Sequence, residues 1–589
     1  MKRKTKKIIL IFFIVLVILI LITLYVGNTY IYYKASGITM EDIKNPFFLL
    51  PYYKEYSTNL LINKVFRLML GTFLILTGIT GGIILKKQKD NSYGTARWAN
   101  LDDLDELKVL QKEYSDGVIL GEVNGIINNP KIINKCKIIK KYKIIDNSNT
   151  HIALIAPTRA GKGVGVIIPT LLNWKSSTIV LDLKKENYVK TAGFREKVLK
   201  HKIIKFAPHD ENSSSYNPLA QIRLRTKYEY IDAQIIADIL TDPGEGKSRD
   251  HWITQASSLL VALILHVCYE KTNKGEVASL GHVMDFFNDP SKPILTRILE
   301  LMKFNHSDNP DFFNNIYDVS QNEGVNPGTH PIVSRTAAEI INKDPRESSG
   351  IISSCITAIT LYKDPIIRKN TTAIDFKIID LMNDKVPVDL YIVIEAASIS
   401  VLSPLVRILI SQVIGILCPK MEDPDKMPHK HKLLLMLDEF PAFGKIPLIE
   451  KALAYIAGYG MKAVIIAQGI NQLRQTYGDK NMILENCSTA VFYTPQATDR
   501  ATAELISALL GKRTLKTQNK SFKALKLDSG SISENKIARE LLTPEEVMRY
   551  SDKKNLIFFK GKPTYRGIKI TYFNNPYFKD KAKIKPNKW

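Results

Sequence analysis

A lysine in a glycine-bearing turn becomes a phosphate ligand when a buried strand leads into the turn and a helix leads out, because backbone N–H groups and the helix N-terminus then converge on the same oxygens. The segment HIALIAPTRAGKGVGVIIPTLLNW, from His151 to Trp174, has this form. Ile152 to Ala156 is an apolar, strand-like run; Pro157-Thr158-Arg159-Ala160-Gly161-Lys162-Gly163 is the turn; Val164 to Leu172 is an apolar segment able to begin a helix. The N–H groups around Arg159 to Gly163 can point at phosphate oxygens in such a loop, and Lys162 reaches the β- and γ-phosphates. Two positions depart from G-x-x-x-x-G-K-[ST]: Ala156 stands for the first glycine and Gly163 for the magnesium-binding hydroxyl. Alone, the segment also fits an incidental glycine turn, so a second constellation is needed.

That constellation is Lys432-Leu433-Leu434-Leu435-Met436-Leu437-Asp438-Glu439-Phe440-Pro441. Five consecutive apolar residues read as a strand buried on both faces, and two acids follow at its carboxyl end, where ligands bind in parallel α/β sheets. With a magnesium–ATP substrate the first acid, Asp438, holds the metal shell and the second, Glu439, orients and deprotonates the attacking water. A strand that merely ends in solvated acids is the plainer reading of the same residues. Further short apolar runs fit the same sheet: Thr178 to Asp182, Leu390 to Ile394, Ala463 to Ala467 and Thr489 to Tyr493. Gln468, at the end of one of them, either senses the γ-phosphate and holds the water or is a polar cap. Asp182 either contributes to the magnesium shell that Gly163 cannot supply or caps a helix.

These elements sit in a chain of 589 residues, long enough for several domains. Hydrophobic residues at 45% and charged residues at 24% exclude fibrous proteins and wholesale disorder. The net charge of +24 favours an anionic partner, nucleic acid or an anionic membrane face. Five scattered cysteines, with no paired ligand spacing, argue against a disulfide framework or a structural zinc site. Near-continuous apolarity from Ile8 to Val26 follows Lys2-Arg3-Lys4-Thr5-Lys6-Lys7. At ~1.5 Å per residue this run can cross a ~30 Å hydrocarbon layer, and no small-residue cleavage pattern follows it. Leu68 to Leu85, with four glycines and then Lys86, Lys87 and Lys89, reads as a second span, or else as a buried soluble helix. A two-helix transmembrane hairpin with both ends in the cytoplasm leaves the bulk of the chain facing ATP.

Several segments together resemble the type IV secretion coupling proteins, the TraG/TraD/VirD class of membrane-anchored hexameric ATPases. They are Tyr93-Gly94-Thr95-Ala96-Arg97-Trp98-Ala99, APTRAGKGVGVIIPTLL, LDLKKEN, YNPL from Tyr216 to Leu219, LLLMLDEFPAFGKI, AYIAGYGMKAVIIAQ, Ala497 to Ala503 and Arg539 to Glu546. The resemblance makes the glycine after Lys162 a family trait. It implies an α/β, RecA-like P-loop NTPase domain interrupted by an all-α domain and preceded by the membrane hairpin. On this chain the parts are 1–92 for the membrane domain (spans about 8–26 and 68–85), 93–212 and 377–589 for the nucleotide domain, and 213–376 for the helical domain, where amphipathic patterns dominate. The implied function is ATP hydrolysis, with ATP and Mg2+, coupled to delivery of DNA–relaxase complexes and/or effector proteins into a type IV secretion channel. The implied setting is a homo-hexamer, multi-pass in the bacterial inner membrane, in contact with channel components. Some relatives place an arginine in the helix after the acidic pair; the corresponding stretch here, Leu448 to Met461, has none, which leaves Arg407, Arg474 or Arg500. A chromosomal DNA translocase of the FtsK type and a non-hydrolysing, nucleotide-gated cargo receptor are the rival readings.

Basic residues cluster at Lys131 to Lys143, at Lys512 to Lys526 and in the tail from Lys579 to Lys588. Each suits sequence-blind contact with a DNA backbone, or is solvated surface. Lys512 to Gly530 reads as a flexible insertion.

Overall fold

The structure, a computed structural model, describes residues 92–587 except 128–137, 243, 245–249, 318–325, 420–426 and 522–530, and also positions 25, 64, 67 and 71. Apart from Tyr25 and Gly71, the stretches read as membrane spans lie outside the described residues. The chain divides into two units, Met1–Tyr93 and Gly94–Trp589. The second carries the fold that follows.

Its strands are β1 (Leu110–Gln111), β2 (Val118–Ile127), β3 (Ile138–Asp146), β4 (His151–Ile155), β5 (Ser177–Asp182), β6 (Lys202–Phe206), β7 (Val388–Val393), β8 (Leu433–Leu437), β9 (Met461–Ala467), β10 (Cys487–Phe492), β11 (Lys512–Ser521), β12 (Ser531–Glu540), β13 (Lys554–Phe559) and β14 (Tyr565–Ile568). Twelve of them form one sheet in the order β1-β3-β2-β14-β13-β10-β4-β9-β8-β5-β7-β6. From β10 to β6 every pairing is parallel. From β10 to β1 every pairing is antiparallel, which makes a wing on one side. Strands β4, β5, β7, β8 and β9 are buried along their whole length. Their residues alternate between two apolar layers, Leu435 and Ile179 on one face, Leu434, Met436 and Val180 on the other. Both faces are covered, so these strands read as unbroken apolar runs rather than as alternation.

Four helices matter for positioning the site: α1 (Ile168–Leu171), α2 (Glu186–Lys197), α3 (His251–Asn273) and α4 (Ile399–Leu417). Between β6 and β7 the described residues form helices and turns and no strand. By length and composition α3 and the stretch Ala396–Leu417 could cross a membrane, but their apolar windows are 72% and 56% buried within the protein. Both contribute to the main core, and they are core helices.

Two sequence readings need correction. The helix expected from Leu448 to Met461 stops at Ala452; a short 3-10 turn follows at Ile456–Tyr459, and Met461 already belongs to β9. Gly460 lies at φ 80°, which ends any right-handed helix, and a Cβ there would meet Met427 Sδ at 2.6 Å. The supposed flexible insertion is a two-stranded ribbon, β11 against β12, paired in unbroken register from Lys512↔Glu540 to Ser521↔Ser531. Its two strands are mostly polar in sequence, with Leu515, Ile532 and Ile537 as the only large apolar residues, so no sustained apolar alternation marks them as strand. The basic tail packs on α2 and keeps Lys579, Lys583 and Lys585 exposed, which leaves both readings of those lysines open. A side chain at Gly193 on α2 would collide with the backbone of Ile584 and Lys585. The Lys581 ammonium lies 3.4 Å from the Tyr577 ring centroid and 5.0 Å from that of Phe194.

One buried cation holds α1, α2 and the sheet in register. Arg195, near the end of α2, donates to Asp389 on β7 through Nε (2.7 Å) and Nη2 (2.8 Å). Its Nη1 donates to the carbonyls of Leu171 (2.6 Å) and Trp174 (2.8 Å), where α1 ends. Burial alone would push the Asp389 carboxyl up, but Arg195 and His201 hold it below its usual range. Removing the cation strands a carboxylate with no path to water. Arg195→Leu should therefore cost about 3–5 kcal/mol in thermal or denaturant unfolding. A loss under about 1 kcal/mol would show that the network is not stabilising.

Candidate functional site

Strands β4 and β8 are separated by β9 alone, and all three point the same way. In register, Ile155 sits opposite Ala467, and Ile465 opposite Leu437. The turn after β4, the acids after β8 and Gln468 after β9 therefore leave the sheet at one edge.

The turn Pro157–Gly163 is shaped by two left-handed residues, Arg159 at φ 62° and Gly161 at φ 92°. The Ala160 N–H donates to Pro157 O at 3.1 Å, and Gly165 N–H to Gly161 O at 2.9 Å. The helix beyond opens as a wide π-turn, Gly163–Ile167, before tightening into α1. Of the two departures from the common loop pattern, the structure explains the first. Ala156 is not among the positive-φ residues, and its N–H extends the sheet by donating to Ala467 O at 2.9 Å, so no glycine is required. At Gly163 a Cβ would meet nothing within 4 Å, so crowding is not what excludes a hydroxyl residue. The glycine that packing does demand is Gly165, where a Cβ would lie 2.9 Å from the Tyr493 hydroxyl and 3.0 Å from Ile570 O.

Successive side chains of a strand point to opposite faces, so an acid pair continuing β8 would be split. Glu439 instead turns left-handed, at φ 51°, and both carboxylates reach the same ammonium. Lys162 Nζ lies 3.1 Å from Asp438 Oδ1 and is hydrogen-bonded to Glu439 Oε1; the three side chains are each 15% exposed. Gln468 completes a ring: its Nε2 donates to Glu439 Oε2 at 3.0 Å, and its Oε1 accepts from Thr158 Oγ1 at 2.9 Å. Gln468 thus links the turn to the second acid and is more than a cap. Burial pushes the Asp438 carboxyl above its ordinary range; the Lys162 charge opposes that push and the Glu439 charge adds to it.

Asp182 lies at the carboxyl end of β5, next to β8. Its Oδ2 accepts from Tyr188 N–H at 2.8 Å and its Oδ1 from Lys184 N–H at 3.3 Å. The carboxylate thus shapes the approach to α2, as the capping reading expects, and it lies near enough to Asp438 to feel that charge, as the metal reading expects. Among the arginines considered, Arg407 is buried and paired with Asp242 of its own chain, so it cannot project into a neighbour. Arg474 stands partly exposed 3.8 Å from Asp479, and Arg500 is exposed beside Glu504. The sequence reading missed Gly165, Tyr493 and Lys569; the last donates to the Ala160 carbonyl at 3.1 Å. Their only signal is spatial, because Tyr493 and Lys569 come from distant strands and Gly165 is demanded by what they pack against.

Burial raises the Asp182 carboxyl to about 6, against backbone N–H bonds that lower it, and the Asp438 charge adds to the rise. A raised carboxyl binds its proton more tightly in the folded chain than in the unfolded one. On this account stability is lost as pH rises from about 4 to about 6, by at most about 3 kcal/mol. Melting of Asp182→Asn across that range should therefore fall less with pH than melting of the unsubstituted chain. Parallel pH profiles would show that Asp182 is not protonated in the fold.

Residues 97–588 match the family model described as type IV secretory system conjugative DNA transfer. A conjugal transfer protein TraG of Escherichia coli is 31% identical over 95% of this chain and 90% of its own length. A VirD4 protein of Rhizobium radiobacter is 27% identical over 92% of this chain and 72% of its own. The solved plasmid coupling protein TrwB, in complex with ADP and Mg2+, superposes with a TM-score of 0.54 at 16% identity, over 82% of this chain and 97% of that one. That likeness agrees with the RecA-like sheet order found here. With the family model spanning almost the whole of the described unit, the chain belongs to the type IV secretory system conjugative DNA transfer family.

Proposed function

We propose that this protein is a membrane-anchored ATPase that recruits DNA–relaxase complexes and/or effector proteins and couples ATP hydrolysis to their delivery into a type IV secretion channel. The observation that carries the reading is the meeting of Lys162, Asp438, Glu439 and Gln468 at the ends of three neighbouring parallel strands. Lys162 binds the β- and γ-phosphates, together with the backbone N–H groups of Pro157–Gly163. Glu439 is the general base, and Gln468, already bonded to it, orients the attacking water. Asp438 would hold Mg2+. Its Oδ1 already faces a positive charge, the Lys162 ammonium at 3.1 Å, which suits an oxygen placed for a cation. Among the described residues no group of three or more acidic, histidine or cysteine side chains is assembled for a metal. This is compatible with Mg2+, which takes one or two carboxylates and leaves the rest of its shell to phosphate and water. When bound, the metal spreads the charge that develops on the phosphates.

In this reading residues 1–92 anchor the protein in the bacterial inner membrane and the remainder is cytoplasmic. Segments 93–212 and 377–589 form the nucleotide domain, and 213–376 forms a helical domain that meets cargo. Assembly is a homo-hexamer, in which Arg474 or Arg500 completes a neighbour's site. The likeness to conjugal transfer proteins along most of the chain supports a secretion role over a chromosomal translocase.

The test is phosphate release and nucleotide binding by the full-length protein in membranes, with and without single-stranded DNA. Glu439→Gln should retain nucleotide and lose turnover by about 10²–10⁴-fold, the usual worth of a general base. Lys162→Ala should lose nucleotide binding. Turnover of Glu439→Gln at the unsubstituted rate would refute the assignment of roles. Binding without any turnover, DNA present or not, would favour the cargo-receptor reading.

A further inference from the structure

Lys569 follows the last residue of β14. Two antiparallel pairings separate β14 from β10, the parallel neighbour of β4, so β14 runs in the same direction as β4. The chain therefore leaves β14 at the same edge of the sheet as the phosphate-loop turn leaves β4. Lys569 Nζ donates to the Ala160 carbonyl at 3.1 Å and lies 3.7 Å from the Tyr493 ring centroid. Tyr493 and the Ile570 carbonyl in turn press against Gly165. Three residues from outside the loop thus grip it at two points, before and after Lys162.

The contact at Ala160 has a consequence for the next residue. In a trans peptide the C=O of one residue and the N–H of the next lie on opposite sides of one rigid plane. Fixing the Ala160 carbonyl on Lys569 therefore fixes the Gly161 N–H pointing the other way. The Ala160 N–H is already committed to Pro157 O, and Gly161 O to Gly165 N–H. Among the described residues the Gly161 N–H has no acceptor.

We infer that Lys569 is a positioning residue of the nucleotide site: by holding the Ala160 carbonyl it sets the peptide plane that presents the Gly161 N–H to phosphate. This rests on the ATP-site reading above. The ammonium makes no ion pair within 4.0 Å among the described residues, so its strongest donor contact is spent on the loop. Burial lowers it to about 8, with Asp552 opposing, and it stays mainly charged at neutral pH. A charge-assisted bond to a carbonyl is roughly twice as strong as a neutral one.

The experiment compares Lys569→Met, Lys569→Arg and Lys162→Ala in the full-length protein in membranes. The readouts are steady-state kinetics, binding of a fluorescent ATP analogue, and melting without nucleotide. Lys569→Met should raise KM and the analogue's Kd about tenfold with kcat within about twofold, the signature of lost binding shared by ground and transition states. Its melting temperature should stay within a degree or two of the unsubstituted protein, and Lys569→Arg should restore KM. Should the methionine variant fail to fold, Lys569→Gln is measured in the same way. If Lys162→Ala abolishes binding while Lys569→Met keeps the original KM, the positioning role is overturned. It is equally overturned if KM rises only together with a large drop in melting temperature and arginine does not rescue it. If Lys162→Ala binds nucleotide normally, the ATP-site reading falls first, and this inference with it.

Discussion

Two carboxylates and one ammonium share a nearly buried space at the end of β4 and β8, and that local charge imbalance governs the site. Asp438, Glu439 and Lys162 sum to one net negative charge when all are ionised, at 15% exposure each. Charges removed from water to this degree are costly unless neighbours compensate them. On one side stands an acid pair short of positive charge; on the other, a turn whose N–H groups and lysine favour an anion. A metal–triphosphate brings both signs in the right order, and a simple anion or a simple cation satisfies only half the site. The raised Asp438 carboxyl is the visible mark of that tension.

Left-handed backbone is what brings the opposing charges together. Arg159, Gly161 and Glu439 all occupy the positive-φ region, and for the two non-glycine residues this costs about 1–2 kcal/mol each. The strain has a function at Glu439, because extended backbone there would send it to the face of the sheet opposite Asp438. Gln468 then joins the two strained turns through hydrogen bonds to Thr158 and Glu439, so neither turn relaxes without disturbing the other. The network spans 310 residues of sequence and only two strand spacings.

What could be read from the sequence was what local pattern encodes. Apolar runs marked β4, β5, β7, β8 and β9, because strands covered on both faces have no polar side to show. The loop and the acid pair were legible because their chemistry needs fixed spacings. Asp182 was ambiguous since acid-after-strand describes a metal ligand and a capping residue equally; the fold adds two N–H donors, from Lys184 and Tyr188, that no local pattern announced. The ribbon β11–β12 escaped because its residues are mostly polar, and the packing of the tail escaped because Lys581 lies over the Tyr577 and Phe194 rings, a contact no local pattern encodes. Arg195 and Lys569 act entirely through distant backbone carbonyls and carboxylates. No spacing rule within one segment announces such contacts.

The sheet order also explains how one chain can carry a large helical insertion without disturbing its site. Strands β6 and β7 are consecutive and parallel, and the intervening chain leaves β6, the outermost strand on the side away from the antiparallel wing, and returns into β7 beside it. Lengthening a connection costs entropy only logarithmically, and at an edge strand no further ladder has to be rebuilt. The opposite side is built differently. There the Ile119 N–H of β2 donates to Thr170 on α1, β14 leads to Lys569 at the phosphate turn, and the tail after β14 packs on α2. The elements flanking the phosphate loop therefore come from both ends of the described unit, whereas the helices hang from the far edge. The segment from Ala160 to Thr170 is thus touched directly by Ile119 and Lys569, at the two ends of the described unit, and the insertion enters the sheet from the other side.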